Sequence, residues 1–250
     1  MIKAKKTNIL GINYSKITHS GLLKEIENNQ DKITISLAPV DSVMLSRKNP
    51  ALKKIYNSFD YVLADGSYIV FASKLLRNPL PGQILGPELF PSLIDLCSRK
   101  GYSVYFLGSD EETIKKVNEK LSKNILVKGH HCPPFKKRFN SKDNKLMIDK
   151  INKARPDFLF VIFGAPKQDI WIQENKNKID AKVIVPVGAA FDFYAEKAKR
   201  APRWMQKASL EWFFRLISEP KRLWKRYARD FWFPFLIIKE SIKSINKKNL

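Results

Sequence analysis

The chain reads as an α/β protein: a doubly wound, mostly parallel sheet carrying a basic, aromatic-rich helical appendage at its C-terminus. Three observations predict this. Short apolar runs of strand length alternate six times with segments of helical period, as parallel strands joined by helices require. Several of these runs stop at a glycine, among them Asp65-Gly66, Gly108, Gly164 and Gly188, as strands do where a tight turn follows. The composition then changes near residue 197: from there to the end, fifteen Lys and Arg face four Asp and Glu, half of the net charge of +22, and four of the five tryptophans fall in the same stretch. An α/β domain is therefore expected over residues 1–199 and a helical appendage over residues 200–250. With 44% hydrophobic residues in 250, the chain can bury a substantial core.

In chain order, a short amphipathic helix around Leu22, Leu23 and Ile26 precedes the first strong strand, residues 33–37 (ITISL), which Pro39 ends. Two helices are expected across residues 43–59, divided at Asn49-Pro50. Residues 61–64 form a second strand that runs into Asp65-Gly66. A helix over 69–76, a loop at Pro79, Pro81 and Gly82, and a helix from about 87 to 100 lead to a third strand, residues 102–107, stopped by Gly108. Ser109-Asp110-Glu111-Glu112 has the form of a capping box opening the next helix. Residues 125–127 make a short strand, and Gly129-His130-His131-Cys132-Pro133-Pro134-Phe135 after it reads as an irregular loop. Leu146, Ile148 and Ile151 mark a helix that Arg155-Pro156 ends, and the strands 158–163 and 183–187 complete the set.

The appendage follows a different pattern. Leu210, Phe213, Phe214 and Ile217 recur at helical spacing, and Pro220 opens a second helix at a position that tolerates proline. There Arg222, Arg226 and Arg229 stand at i, i+4 and i+7 as a cationic stripe, with Leu223, Trp224, Tyr227 and Phe231 on the other face. Residues 231–238 (FWFPFLII) add an apolar run interrupted by Pro234, long enough to enter a membrane interface and too short to cross it. No stretch reaches the roughly 18 apolar residues of a spanning helix, and the N-terminus MIKAKKTNIL lacks a long apolar core, so the chain is expected to stay in the cytoplasm.

The sharpest change of period lies in residues 158–173 (FLFVIFGAPKQDIWIQ), where a buried strand breaks at Gly164-Ala165-Pro166 and a helix begins at Lys167. Sheets of this class bind ligands where strands end and helices begin. Gly164 lets a backbone approach closely, Pro166 suits the first helical turn, and Gln168 sets an amide beside exposed helix N–H groups. Asp65 is the carboxylate to single out. It follows a buried strand, precedes a glycine, and would point into the same crevice as Gly108, Gly164 and Gly188; partial burial there raises proton affinity and suits a general base. A turn or helix-cap role fits the same pattern, and Asp192, after Gly188-Ala189-Ala190-Phe191, has the same two readings.

Other chemistries find little support. Cys97 and Cys132 are too few for a disulfide framework. Neither a G-x-G-x-x-G fingerprint nor a P-loop is present, and no two aspartates stand at i, i+2. His130-His131-Cys132 is a poor metal site, because adjacent residues rarely converge on one ion and no second ligand cluster stands at zinc spacing.

Taken together, Ala64-Asp65-Gly66, Leu107-Gly108, Phe163-Gly164-Ala165-Pro166-Lys167-Gln168-Asp169, Val187-Gly188-Ala189-Ala190-Phe191-Asp192, Arg200-Ala201-Pro202, and Leu210-Glu211-Trp212 through Arg215-Leu216 to Glu219-Pro220 with Arg222 resemble the WecG/TagA/CpsF glycosyltransferases, from about residue 33 to residue 227. The resemblance implies a Rossmann-like domain. It also implies inverting transfer of a sugar, N-acetylmannosamine or a related hexose, from a UDP-sugar to an undecaprenyl-diphosphate-linked acceptor, with no metal or other cofactor. Such enzymes serve bacterial surface polymers such as teichoic acid linkage units, enterobacterial common antigen or capsule. By the same resemblance Asp65 is the base that deprotonates the acceptor hydroxyl. Gln168 and its loop line the donor pocket, with Gly66, Gly108, Gly164, Pro166, Gly188 and Asp192 in the substrate crevice, and Arg215, Arg222 and Arg226 meet phosphate. Three departures stand out. Leu37 and Pro39 replace a Thr-x-Asn, Gln83 stands where an arginine is common, and Pro133-Pro134-Phe135 replaces Gly-Tyr-Phe; an altered sugar is expected, not an inactive protein.

The implied partners are a UDP-sugar, a polyprenyl-diphosphate acceptor and an anionic membrane surface met by the appendage at the cytoplasmic face of the membrane, with room left for a homo-oligomer. Without a metal, arginines and helix N-termini are what remain to stabilise a departing diphosphate, and a basic, tryptophan-rich tail suits a lipid surface. Two rivals are a nucleic-acid-binding protein, which the charge alone would allow, and a membrane adaptor without chemistry. No nucleic-acid motif is present, so no nucleic-acid partner is expected.

Overall fold

The chain opens with an antiparallel hairpin, β1 (Lys6–Ile9) and β2 (Ile12–Ser15), which the sequence pattern does not announce. Its strands are four residues each, too short for alternation to stand out. Leu10 and Gly11 both take positive φ, the backbone a two-residue hairpin turn needs. The structure, a computed structural model, describes residues 4–246; three residues of the basic N-terminal segment and the last four of the appendage, Lys247 and Lys248 among them, lie outside the described residues.

After α1 (His19–Asn28) the main sheet begins with β3 (Ile33–Ala38). Next come α2 (Val40–Lys48), α3 (Pro50–Asn57), β4 (Tyr61–Ala64), α4 (Ser67–Leu75), α5 (Gly86–Lys100), β5 (Ser103–Gly108), α6 (Glu111–Lys120) and β6 (Leu126–His131). Then follow α7 (Ser141–Ala154), β7 (Phe158–Ile162), α8 (Lys167–Asn175), β8 (Val183–Pro186) and α9 (Ala189–Tyr194). The six strands β3 to β8 form one parallel sheet in the order β4-β3-β8-β7-β5-β6. Every residue of β3, β4, β5, β7 and β8 is buried, because helices cover both faces. Ile69, Trp171 and Ile172, from α4 and α8, pack on one face; Phe90, Ile114 and Phe191, from α5, α6 and α9, pack on the other.

Three local expectations need correction. The strand β6 continues through His130 and His131, where a loop was expected. Its residues 129–131 pair with 105–107 of β5, and at a sheet edge the neighbour's backbone, not apolar side chains, holds the strand. The α6 cap is Asp110, whose carboxylate accepts from Thr113 N–H at 2.9 Å; Ser109 lies at φ 63 outside the helix, so no capping box starts at Ser109. Pro166 precedes α8 as its cap, after a cis Ala165-Pro166 bond, since Gln168 N–H already closes a turn onto Gly164 O.

The appendage consists of α10 (Arg203–Lys207), α11 (Glu211–Ser218), α12 (Pro220–Asp230) and α13 (Phe233–Asn246). It folds back on the core: α12 packs on α2 and α13 on α4, with Phe233 and Ile237 in the same apolar cluster as Ile69 and Ala72. The α12 stripe is turned inward at Arg226 and Arg229. Both guanidinium groups pair with Asp41 of α2, while Trp224 and Phe231 stand exposed.

Candidate active site

All six strands are parallel, so the loops after β3, β4, β8, β7 and β5 gather at one edge of the sheet. The loops after β3, β4 and β7 lead to α2, α4 and α8 on one face and those after β8 and β5 to α9 and α6 on the other, so a crevice runs along this edge from Asp65 to Gly108. From β4 to β5 is four strand spacings, roughly 19 Å. Asp65 and Gly108 therefore lie at opposite ends of the crevice and not side by side.

Asp65 stands at the end of β4. Gly66, at φ 125, turns the chain into α4, a conformation that a side chain at this position would strain. The Gly86 N–H at the start of α5 favours the ionised Asp65 carboxylate. Burial pushes its pKa up to about 6 against the opposing pull of Arg226 and then Arg215, both from the appendage, with Glu211 adding to the rise. Gly86 fits tightly: a Cβ there would lie 3.3 Å from Ala190 Cβ and 3.6 Å from Leu37 Cδ1. Leu37 thus lines the floor beneath this end of the site. Tyr14 lies beneath it too, its hydroxyl donating to Ala38 O at 3.0 Å.

Gln168 is buried at the middle of the crevice. Its Oε1 accepts from Gly164 N–H at 3.0 Å, and a Cβ on Gly188 would come within 3.3 Å of the same oxygen, so Gly164, Gln168 and Gly188 form one unit. Asp169, next along α8, is fully buried; Ser36 Oγ donates to one carboxylate oxygen at 2.7 Å and the other has no hydrogen-bond partner among the described residues. Burial raises its pKa to about 7.

The far end is built around Asp192 of α9. Its pKa is raised, first by burial, while Lys197 and Arg222 draw it back and Asp110 and Glu219 add to the rise. Lys197 reaches Asp110 at 2.5 Å, and Asp110 falls to about 2 with that bond as the first cause. Gly108 is required by contact: a Cβ there would lie 2.4 Å from Ile162 O. The three residues His130, His131 and Cys132 diverge. His130 faces Glu111 at 2.8 Å, His131 faces Lys150 at 3.1 Å, and Cys132 Sγ points at Gly108 O.

The three arginines divide between the two ends. Arg215 stacks over the Phe193 ring at 5.7 Å and, with Arg226, faces Asp65. Arg222 is bound to Glu219 at 2.5 Å and faces Asp192. Gly86, Tyr14, Lys197 and Asp41 were not singled out from the sequence. Gly86 and Asp41 sit beside proline-marked breaks, Pro87 and Pro39, which is the only signal they carry; Tyr14 and Lys197 carry none.

Comparison with known proteins agrees with this architecture. Residues 7–247 match the model of the Glycosyl transferase WecG/TagA/CpsF family. The N-acetylglucosaminyldiphosphoundecaprenol N-acetyl-beta-D-mannosaminyltransferase of Bacillus spizizenii (strain ATCC 23059 / NRRL B-14472 / W23) is 32% identical over 182 residues, covering 72% of this chain and 68% of that protein. The protein of the same name from Bacillus subtilis (strain 168) is 31% identical over 189 residues, 74% of this chain and 71% of that one. Its namesake in Staphylococcus aureus (strain MW2) is 28% identical over 232 residues, 90% and 87% respectively.

Proposed function

The chain belongs to the WecG/TagA/CpsF family of glycosyl transferases, and from that membership we propose that it moves an N-acetylmannosamine-type or related sugar from a UDP-sugar to an undecaprenyl-diphosphate-linked acceptor. The observation that carries this reading is Asp65, a carboxyl raised to about 6 at a strand end and faced by Arg226 and Arg215. At neutral pH it is ionised and still basic enough to take a proton. The acceptor hydroxyl oxygen bonds to the anomeric carbon as its proton passes to Asp65. The bond from that carbon to the diphosphate oxygen breaks, and UDP leaves with the electron pair. Attack opposite the leaving group inverts the anomeric centre.

The departing diphosphate gains negative charge that must be met by fixed positive groups. We assign this role to Arg215, Arg222 and Arg226, whose charges act on Asp65 and Asp192, and arginine suits bidentate phosphate contact. The step as written needs no divalent ion. Gly164, Gln168 and Gly188 form the donor-side wall. The relatives' printed names carry the acceptor class, an N-acetylglucosaminyl diphosphoundecaprenol, and make UDP-N-acetylmannosamine the first donor to try. Leu37 at the floor is where a different sugar would be accommodated. A substrate of this kind holds the enzyme at the cytoplasmic face of the membrane, as a peripheral protein whose residues 200–250 dock on lipid and also complete the site.

The test is a calorimetric titration of the protein with UDP, in EDTA and again with magnesium, followed by transfer assays over a panel of UDP-sugars. Equal binding in both buffers and inverted product with one donor are expected. Binding only with magnesium would overturn the metal-independent reading, and no binding in either would overturn the transferase reading.

A further inference from the structure

We propose that helix α4 of the catalytic domain lies against an anionic phospholipid bilayer together with the appendage, so that lipid contact begins at the mouth of the site. This rests on the lipid-linked acceptor of the proposed function. The appendage alone is not its subject.

On α4, Tyr68, Phe71 and Leu75 stand at i, i+3 and i+7 and share one side of the helix. All three are exposed, Phe71 to 61%. Ile69 and Ala72, on a neighbouring side of the helix, are buried with Phe233 and Ile237 of α13. The second row runs along the end of the appendage. Phe231, Phe235, Ile238 and Ile242 stand at i, i+4, i+7 and i+11, all exposed, Phe231 to 66%. Phe231 and Trp232 each pack on Phe235 at 5.8 Å, which leaves an apolar cluster in the open.

The two rows are joined. Ser241 Oγ donates to Leu75 O at 3.0 Å, so Ile238 and Ile242, which flank Ser241, come beside the end of α4. Both helices bury a face in one core cluster and leave their apolar rows exposed. The α4 row also starts at the site. Ser67 opens the helix directly after Asp65-Gly66, Tyr68 comes next, and Phe71 stands about one helical turn beyond Ser67, ~6 Å.

Charge selects the occupant. Lys74, Lys239 and Lys243 stand exposed on the same two helices, and the chain carries +22. Two copies of such a chain repel each other, whereas an anionic leaflet attracts both the lysines and the aromatic rows. No helix among the described residues is long and apolar enough to cross a membrane, so contact is along the surface.

The experiment is co-sedimentation of the full chain with vesicles of phosphatidylcholine and phosphatidylglycerol, comparing the unaltered protein with Phe71→Asp and with Phe235→Asp. Both variants are expected to lower vesicle partition by about ten-fold or more, the loss expected for one aromatic ring withdrawn from lipid. Unchanged UDP affinity in Phe71→Asp would show that the fold is intact. Partition of Phe71→Asp equal to the unaltered protein, with Phe235→Asp impaired, would overturn the proposal in favour of the appendage alone. A fall in oligomer size in Phe71→Asp with vesicle partition unchanged would overturn it in favour of a second copy. Absence of partition by the unaltered protein would overturn it as well; transfer to an acceptor in detergent would then show whether the transferase reading stands.

Discussion

In the proposed reaction the chemistry rests on one carboxyl, Asp65, and its substitution is the most direct residue-scale test. Asp65→Asn keeps the shape and the Gly86 contact but cannot take a proton; kcat is expected to fall about 10²–10⁴-fold while UDP affinity is kept. The ionised form is the working one, so in the unaltered protein kcat/KM for the acceptor should fall as pH drops below about 6. Arg215 favours the ionised carboxylate. Arg215→Gln should therefore move that acid limb to higher pH, and an unmoved limb would detach Arg215 from Asp65. The sequence made Asp65, Gln168 and their glycines visible because strand-end punctuation marks them. It could not reveal Gly86 or Tyr14, whose roles come from contacts across distant parts of the chain.

At the scale of elements, α12 decides whether the arginines reach the site. Its spacing of arginine and aromatic residues was legible in the sequence, but its orientation was not. Spacing defines two faces, and only the position of Asp41 on α2 shows that Arg226 and Arg229 turn inward. Burial first, then Asp41, raises Asp230 beside them to about 7, against the pull of both arginines. Asp41→Ala should take from Arg229 its carboxylate partner, leave Arg226 with Asp230 alone, and loosen α12 from α2 by about 1–3 kcal/mol. Hydrogen exchange would read this as lost protection over α12 and α13 with the sheet unaffected; uniform protection would show that apolar packing alone holds the appendage. The second half of β6, residues 129–131, escaped the pattern because backbone pairing at a sheet edge holds it, and the β1–β2 hairpin because its strands, though they bury Ile9, Ile12 and Tyr14, are only four residues long.

Across the whole molecule, the buried carboxyls set how stability responds to pH. Asp65 is raised to about 6 and Asp169 to about 7, so the folded protein binds protons more tightly than the unfolded chain at these positions. Their contribution is complete below about pH 4 and is lost as pH rises through 6 to 7; Asp110, lowered to about 2, acts in the opposite sense and loses its contribution as pH falls through that value. Asp169→Asn should flatten the decline in melting temperature between pH 5 and 8, over which the group contributes about 3 kcal/mol. An unchanged slope would place the titrating group elsewhere. By itself the sequence determined the sheet, its glycine-punctuated edge and the basic, aromatic character of residues 200–250, because local period and composition reflect which faces are buried. The tertiary structure alone decided the strand order, the roughly 19 Å that separate the two ends of the crevice, and the inward turn of Arg226 onto Asp41. These depend on which elements become neighbours, and a one-dimensional pattern of apolar residues is the same for many such arrangements.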